Sequence, residues 1–270
     1  YVLRDSLSDK QDSDIASERE ELETFKRLLG PSDDPRMMGR IGTYEILGLL
    51  GHGGMGVVFK AFDPSLNRYV AIKMLAPMLI PSAVFKQRFL REAQSAAAVV
   101  HVNVVGIHAI SEWQGNPYLV MTFVRGQSLQ TRLQHRGHLS LREVLRIGLQ
   151  VSAGLEAAHA QGLIHRDIKP ANVMITDNGD VKVMDFGIAR ALSDAGATLT
   201  STWNIVGTAQ YLSPEQASGS ETDERSDLYS VGCLFYELVS GKPPFSGETP
   251  VAIAYQHVSA PLIPVTDIEP

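Results

Sequence analysis

The stretch His165–Gly187, with the sequence HRDIKPANVMITDNGDVKVMDFG, decides how this chain folds. It brings two carboxylates, Asp167 and Asp185, close in sequence to the amide of Asn172 and the amine of Lys169. Magnesium prefers hard oxygen ligands, and phosphoryl transfer needs cations on the phosphate oxygens and a carboxylate near the attacking hydroxyl. Each residue alone is typical of a polar hairpin. Together, at these spacings, they favour magnesium-dependent phosphoryl transfer over a polar hairpin.

A glycine-rich segment, LGHGGMGVVFK, lies upstream at residues 50–60. Its G-x-G-x-x-G spacing also occurs in dinucleotide-binding folds, where the glycines open a helix. Here Val57, Val58 and Phe59 follow, and β-branched or aromatic residues predict a strand instead. Because glycine has no Cβ, the backbone N–H groups of such a hairpin can approach phosphate oxygens closely. The predicted phosphate-binding residues are Leu50, Gly51, His52, Gly53, Gly54, Met55 and Gly56.

Two charged residues stand out between these segments. Lys73 ends the apolar strand VAIK at residues 70–73. Glu92 shares one face of a predicted helix, residues 83–98, with Phe85, Phe89 and Ala96. A charged residue on an otherwise apolar face needs a buried partner.

Together these segments resemble the protein kinases, and the stretch 165–187 is similar to their catalytic loop and the metal-binding loop that follows it. The segment Gly207–Glu215, GTAQYLSPE, is similar to the end of a kinase activation segment, with Ser-Pro-Glu in place of Ala-Pro-Glu. Asp227 matches the aspartate that opens the long buried helix of the C-lobe. Lys169, two residues after Asp167, is the choice of serine/threonine kinases, and Tyr255–Val258 looks most like the bacterial eukaryotic-like (Hanks-type) members.

The resemblance implies an α+β, two-lobed kinase fold with a small β-rich N-lobe and a larger helical C-lobe. We expect an acidic extension at residues 1–43, the N-lobe at 44–124 and the C-lobe at 125–270, truncated before its last helices. The extension has one amphipathic helix with an apolar stripe at Ile15, Leu22, Phe25 and Leu29, and then a linker, Pro31–Gly42. The predicted N-lobe strands are 44–50, 56–62, 69–75, 104–111 and 117–123.

The resemblance also implies how ATP binds. The adenine contacts the hinge, which comprises Met121, Thr122, Phe123 and Val124. Val58 and Ala71 cover one face of the purine, and Met174 covers the other. The same side chains are equally compatible with a purely structural role in the core.

The family supplies roles for the charged residues as well. Lys73 binds the α- and β-phosphates and pairs with Glu92, while Asn172 and Asp185 chelate Mg²⁺, with Mn²⁺ as an alternative ion. Asp167 orients the substrate hydroxyl, and Lys169 neutralises charge on the γ-phosphate. The activity implied is ATP-dependent transfer to serine or threonine of proteins. The alternative is a nucleotide-binding pseudokinase scaffold, although such proteins usually lose one of these residues.

Activation and substrate binding are predicted for the segment after Gly187. Arg166 needs an anion, and phosphorylated Thr200 or Thr202 would provide it. Thr208 and Glu215 are expected in the platform for the protein substrate. In the family Glu215 pairs with an arginine of the last helices, so we expect that carboxylate to lack its partner here and apolar C-lobe surface to be exposed.

Composition and net charge restrict the partners and the cellular location that we expect for this chain. The net charge of −6 argues against nucleic acid or an anionic membrane as the main partner. The single cysteine, Cys233, lies in an apolar helix and excludes a disulfide framework, which fits a cytoplasmic location. No apolar run long enough to span a bilayer occurs in this chain, so any anchor would lie outside it. Bacterial relatives dimerise through the N-lobe, which favours a homodimer.

Overall fold

A computed structural model describes residues 25–53, 56–75, 83–186 and 209–268. Its contacts divide the chain into two compact units, of which one comprises Tyr1–Pro77 with Ser111–Phe123 and the other Met78–Ile110 with Val124–Pro270. The first unit is rich in β-strands and the second in helices. The predicted domain boundaries at 43/44 and 124/125 stay predictions.

A six-stranded sheet forms the first unit, with the order β1-β2-β3-β4-β6-β5. The strands are β1 (Gly39–Ile41), β2 (Tyr44–Gly53), β3 (Gly56–Asp63), β4 (Arg68–Leu75), β5 (Ile107–Trp113) and β6 (Asn116–Thr122). The sequences of β3 and β4 are rich in β-branched and aromatic residues, which suit a pleated surface buried on both faces. Phe59 and Ile72, directly opposite each other on these strands, are fully buried.

The observed strands differ from the predicted ones at two places. Residues 39–41 lie in the predicted linker, yet they pair with β2 from Gly39 opposite Ile46 to Ile41 opposite Tyr44. The hairpin between β5 and β6 turns at Gln114 and Gly115, which both have positive φ angles of 49° and 81°. This two-residue turn is tighter than the connection left between the predicted strands, of which one ends at residue 111 and the next begins at residue 117.

The second unit consists mainly of helices around one core. Its helices are α1 (Ala83–Ala97), α2 (Leu129–Arg136), α3 (Leu141–His159), α4 (Pro214–Ala217), α5 (Glu224–Ser240) and α6 (Pro250–Ser259). A small antiparallel sheet, ordered β7-β8-β9, comprises Gly126–Ser128, Val173–Thr176 and Val181–Val183. Helix α2, which no predicted element covered, begins at its N-cap Ser128, whose side chain accepts a hydrogen bond from the Thr131 N–H.

Helices α3 and α5 place the catalytic loop on this core. Apolar residues of α3 at helical spacing, Ile147, Val151 and Leu155, are buried with Leu234 and Leu238 of α5. At Gly148 an added Cβ would lie 2.5 Å from the Phe235 ring, so the two helices approach closely there. The predicted long buried helix is confirmed as α5, and Cys233 is buried in it.

Other parts of α3 stay in contact with solvent. Leu141, Leu145 and Leu149 recur every four residues on this helix, and all three are exposed. Among the described residues, no helix combines the length and the hydropathy that a membrane span requires.

Candidate active site

The register of the first sheet gathers four predicted nucleotide-binding residues on one face. Val58 lies opposite Lys73, and Ala71 lies opposite Met121. Residues directly opposite each other in an antiparallel pair point to the same face, and residues two apart on one strand do so as well. Val58, Ala71, Lys73 and Met121 therefore share one face of the sheet.

The glycine-rich hairpin continues from the same strands. Gly53 pairs with Gly56, His52 with Val57, and Gly51 with Val58. The register shifts by one residue between Leu49 and Gly51, so a bulge places Leu50 outside the ladder, where it is half-exposed. This confirms that the glycines form a hairpin rather than the start of a helix.

Lys73 lies in the middle of that sheet and is only 6% exposed. It is flanked by Val58 on one side and by Leu119 on the other. A lysine at the solvated end of a strand would be exposed. The burial of Lys73 is therefore consistent with a side chain that binds a ligand rather than water. Thr122 ends β6, Phe123 closes the first unit, and Val124 begins the second.

In the second unit, one buried carboxylate holds the backbone of the catalytic loop. Asp227 of α5 is fully buried, and its two oxygens accept hydrogen bonds from the backbone N–H groups of His165, at 2.8 Å, and Arg166, at 2.7 Å. The His159 Nε2 atom lies 2.7 Å from the same carboxylate. Gln216 donates to the Arg166 carbonyl at 2.8 Å. Asp227 of α5 and Gln216 of α4 thus fix the residue that precedes Asp167, and His159 of α3 binds the Asp227 carboxylate.

Arg166 has φ = 65°, in the left-handed region that a non-glycine residue adopts at a cost of about 1–2 kcal/mol. Its Nε atom donates to the Thr222 hydroxyl at 3.1 Å. The hydrogen bonds that Asp227 accepts from this backbone offset the cost and hold the turn that leads to Asp167.

Asp167 is bound by the two residues predicted to act with it. The Lys169 Nζ atom lies 2.9 Å from Asp167 Oδ2, and Asn172 Nδ2 donates to the same oxygen at 2.9 Å. Asn172 Nδ2 also donates to the Asp167 carbonyl at 2.8 Å. The sequence prediction that these three residues form one cluster is consistent with these contacts.

His165 ties the catalytic loop to the metal-binding segment. Its Nδ1 atom accepts the Asp167 N–H at 3.2 Å, so the ring proton lies on Nε2, which donates to the Met184 carbonyl at 2.8 Å. The ring also packs on Phe186, with centroids 4.6 Å apart. His165 is fully buried, which is consistent with its contacts to both segments.

The hairpin of β8 and β9 brings the two predicted metal ligands to one end of its ladder. Val173 pairs with Val183, and the Met184 N–H donates to the Asn172 carbonyl at 3.0 Å. Asn172 directly precedes this pair, and Asp185 follows Met184. Asp185 has φ = 64°, a second left-handed non-glycine residue beside the catalytic residues.

The donor chemistry of this pair fits a magnesium ion. Because Asn172 Nδ2 is committed to Asp167, the amide oxygen Oδ1 is the atom that can ligate a cation. Across the described residues, no three His, Cys, Asp or Glu side chains group as a metal site. Magnesium in phosphoryl transfer needs only one or two protein ligands, since phosphates and water supply the rest.

Glu215 has a hydrogen-bond partner in the second unit. It accepts a hydrogen bond from the Ser226 hydroxyl of α5. Although burial opposes ionisation, this bond and others lower the pKa of Glu215. Ser226, eleven residues along the chain, is a neutral donor, so the absence of the arginine partner stays a prediction.

Several predicted residues cannot be placed in this geometry. Gly54, Met55, Thr200, Thr202 and Thr208 lie outside the described residues. Lys73 and Glu92 belong to different units, so their pairing stays a prediction. Met174 lies on β8 opposite Lys182, and its contact with adenine is likewise untested.

Comparison with known proteins identifies the family. The protein kinase domain matches residues 44–267. The chain belongs to the protein kinase family. A probable serine/threonine-protein kinase of Streptomyces coelicolor is 51% identical over 231 residues, which are 84% of this chain and 34% of that protein. The serine/threonine-protein kinase PknB of Mycobacterium tuberculosis is 45% identical over 225 residues, 82% of this chain and 36% of the relative.

A solved structure supports the same fold. The kinase domain of PknI from Mycobacterium tuberculosis matches with a TM-score of 0.63 and 30% identity, over 77% of this chain and 78% of that one. The kinase domain is thus of the bacterial Hanks type, as the motifs indicated. The chain spans about a third of the length of the curated relatives described above.

Sequence reasoning missed the residues that support the loop from a distance. The sequence analysis assigned no role in the catalytic loop to His159 or Gln216, yet His159 contacts the Asp227 carboxylate and Gln216 donates to the Arg166 carbonyl. The available signal was the Ser-x-x-Gln pattern at Ser213–Gln216, which forms a capping box at the start of α4. That motif predicts a helix start but not a contact with the catalytic loop.

Proposed function

We propose that this chain is an active protein kinase that transfers the γ-phosphate of ATP to serine or threonine hydroxyls of proteins. The observation that carries the proposal is the cluster of Asp167, Lys169 and Asn172 on a loop held by Asp227. Since Lys169 and Asn172 both bind Oδ2, the other oxygen of Asp167 is available to accept the hydrogen bond of the substrate hydroxyl. Lys169 then neutralises charge that develops on the transferred phosphoryl group.

The remaining roles follow from chemistry and family membership. The family uses ATP with a divalent cation, and we assign Mg²⁺ to Asn172 and Asp185, with Mn²⁺ as the alternative. The cation supplies charge neutralisation of the phosphates. Lys73 and the glycine hairpin bind the phosphates, and Glu92 holds Lys73 in place. The hinge residues, Met121 to Val124, contact adenine.

The test compares two matched substitutions on the same segment. Asp167→Asn removes the proposed base, whereas Asp180→Asn changes an exposed carboxylate in the turn between β8 and β9. With radiolabelled ATP, Mg²⁺ and a generic protein substrate, we expect Asp167→Asn to lose about 10²-fold or more of the turnover. Asp180→Asn should retain it. Turnover of Asp167→Asn within a few-fold of the unsubstituted chain would contradict the assignment.

Activation and assembly are parts of the same proposal. We assign autophosphorylation to Thr200 and Thr202, protein-substrate binding to Thr208 and Glu215, and self-association to the N-lobe. Mapping of labelled residues by mass spectrometry and sedimentation of the purified chain test the first and the last. No observation favours a pseudokinase scaffold, since Lys73, Asp167 and Asp185 are all present.

A further inference from the structure

Residues 25–41, which we name the N-terminal clasp, lie before the part of the chain that matches the kinase domain. That match begins at residue 44. The clasp nevertheless belongs to the first compact unit and contacts it at three places. The clasp lies outside the family's domain and packs against the nucleotide-binding sheet. Its contacts with that sheet indicate what it does.

The first contact joins Gly30 to the edge strand β1, which is the last part of the clasp itself. Gly30 and Arg40 exchange two backbone hydrogen bonds, each of 2.9 Å, so the clasp closes on itself and covers the outer edge of the sheet. The approach is close: a Cβ on Gly39 would lie 2.7 Å from the Gly30 carbonyl oxygen. Gly39 has φ = 151°, which a side chain would disfavour.

The second contact is with β5, at the opposite edge of the same sheet. Trp113 Nε1 donates to the Leu28 carbonyl at 2.9 Å. The indole also packs on Gly30, where an added Cβ would meet the ring at 2.9 Å. One short segment therefore joins the two edge strands of the sheet and restricts how far they can move apart.

The third contact reaches the glycine hairpin. The ring of Phe25 lies 6.3 Å from the ring of His52, with the planes tilted by 44°. His52 is opposite Val57 in the hairpin, next to Gly51 and Gly53. Aromatic rings at this separation attract each other, and such a pair changes an equilibrium by about three- to tenfold.

We propose that Phe25, anchored by the rest of the clasp, is a positioning residue that acts through His52 to hold the glycine hairpin ready for the phosphates of ATP. The inference rests on the proposed function. It adds that nucleotide affinity is set partly from outside the kinase domain. Removal of the ring frees the hairpin, so ATP has to order it on binding, and the affinity falls.

The experiment uses the 270-residue chain and the variant Phe25→Ala. Its controls are Phe25→Tyr, which keeps the ring, and Arg27→Ala, which changes an exposed neighbour. Hydrogen exchange of the amides in residues 50–58 is measured without nucleotide, and KM for ATP, kcat and Tm are measured in parallel. For Phe25→Ala we expect exchange and KM to rise about three- to tenfold with kcat within twofold. Both controls should match the unsubstituted chain.

A second pair of variants tests the route of the effect. Trp113→Phe keeps a ring but removes the donor to Leu28, and it should also speed exchange in the hairpin. Phe25→Ala combined with His52→Ala should raise KM no further than His52→Ala alone, because Phe25 acts through that residue.

The outcomes separate this inference from the proposed function. Unchanged hairpin exchange in both Phe25→Ala and Trp113→Phe would overturn the inference, and so would a lower Tm with unchanged KM. Failure of the unsubstituted chain to bind ATP would instead refute the proposed function, and the exchange rates would still decide whether the clasp holds the hairpin.

Discussion

The substitution Asp227→Asn tests whether a buried carboxylate maintains the catalytic loop. The amide keeps one acceptor oxygen, which can serve the Arg166 N–H, but it places an NH₂ group against the backbone N–H of His165. His159 can adapt by accepting through its ring nitrogen, whereas the backbone donor cannot. One buried donor is left unsatisfied, at a cost of about 1–3 kcal/mol.

Release of strain offsets part of that cost. The left-handed conformation of Arg166 stores about 1–2 kcal/mol, which relaxes once its anchor weakens. We expect the free energy of unfolding to fall by about 1–2 kcal/mol, or Tm by roughly 2–8 °C. Since displacement of a catalytic group by about 1 Å can cost about 10²-fold, kcat should fall by roughly 10- to 100-fold with a smaller change in KM for ATP.

The measurements are thermal unfolding and steady-state phosphorylation of a protein substrate at a temperature where both proteins are folded. His159→Gln is the matched control, because it changes one partner of Asp227 and leaves both backbone bonds in place. It should lower stability by about 1 kcal/mol and keep kcat within a few-fold. If Asp227→Asn retained kcat within twofold, the carboxylate would not be what positions Asp167.

Three further predictions concern other parts of the second unit. Burial raises the pKa of Glu237, although Tyr211 donates a hydrogen bond to its carboxylate. The protonated Glu237 therefore stabilises the folded chain below the unfolded pKa near 4.5, and this contribution is lost as pH rises through the folded pKa. Glu237→Gln should therefore gain in Tm relative to the unsubstituted chain between pH 4.5 and pH 7, and a constant difference would contradict this. Burial lowers the pKa of His257, so the neutral ring stabilises the folded chain above pH 6.5, and this contribution is lost as pH falls through the folded pKa. The Tm of His257→Gln should therefore fall less steeply below pH 6.5 than that of the unsubstituted chain. Gly126 has φ = 149°, and a Cβ added there would lie only 2.0 Å from the Ile175 carbonyl oxygen. The free energy of unfolding of Gly126→Ala, measured in urea, should therefore be lower by about 2 kcal/mol. An unchanged urea midpoint would show that β7 moves to accommodate the methyl group.

The sequence predicted the segments whose chemistry is local. The glycine hairpin followed from β-branched residues directly after the glycines, and the register of β2 and β3 confirms it. The cluster of Asp167, Lys169 and Asn172 followed from spacing within one loop. In each case the residues that decide the structure are neighbours along the chain.

Features that depend on distant partners were not predictable in this way. Strand β1 has three residues, and its pairing with β2 is favoured by the surrounding sheet rather than by its own composition. Helix α2 has few apolar residues, but the face that carries Leu129 and Leu133 is buried because it packs against the core of the second unit. The contact of His159 with Asp227 joins residues 68 positions apart.

The two left-handed residues show why the site needs the whole second unit. Arg166 and Asp185 are not glycines, so nothing in the sequence marks their conformation, and an isolated loop would relax out of it. Asp227 holds Arg166, and His165 holds the segment that leads to Asp185 through the Met184 carbonyl. Asp227 in turn is placed by α5, which packs on α3 at Gly148. A core substitution that separates these helices should thus lower kcat without touching a catalytic residue, since the strain is held only while the core is close-packed.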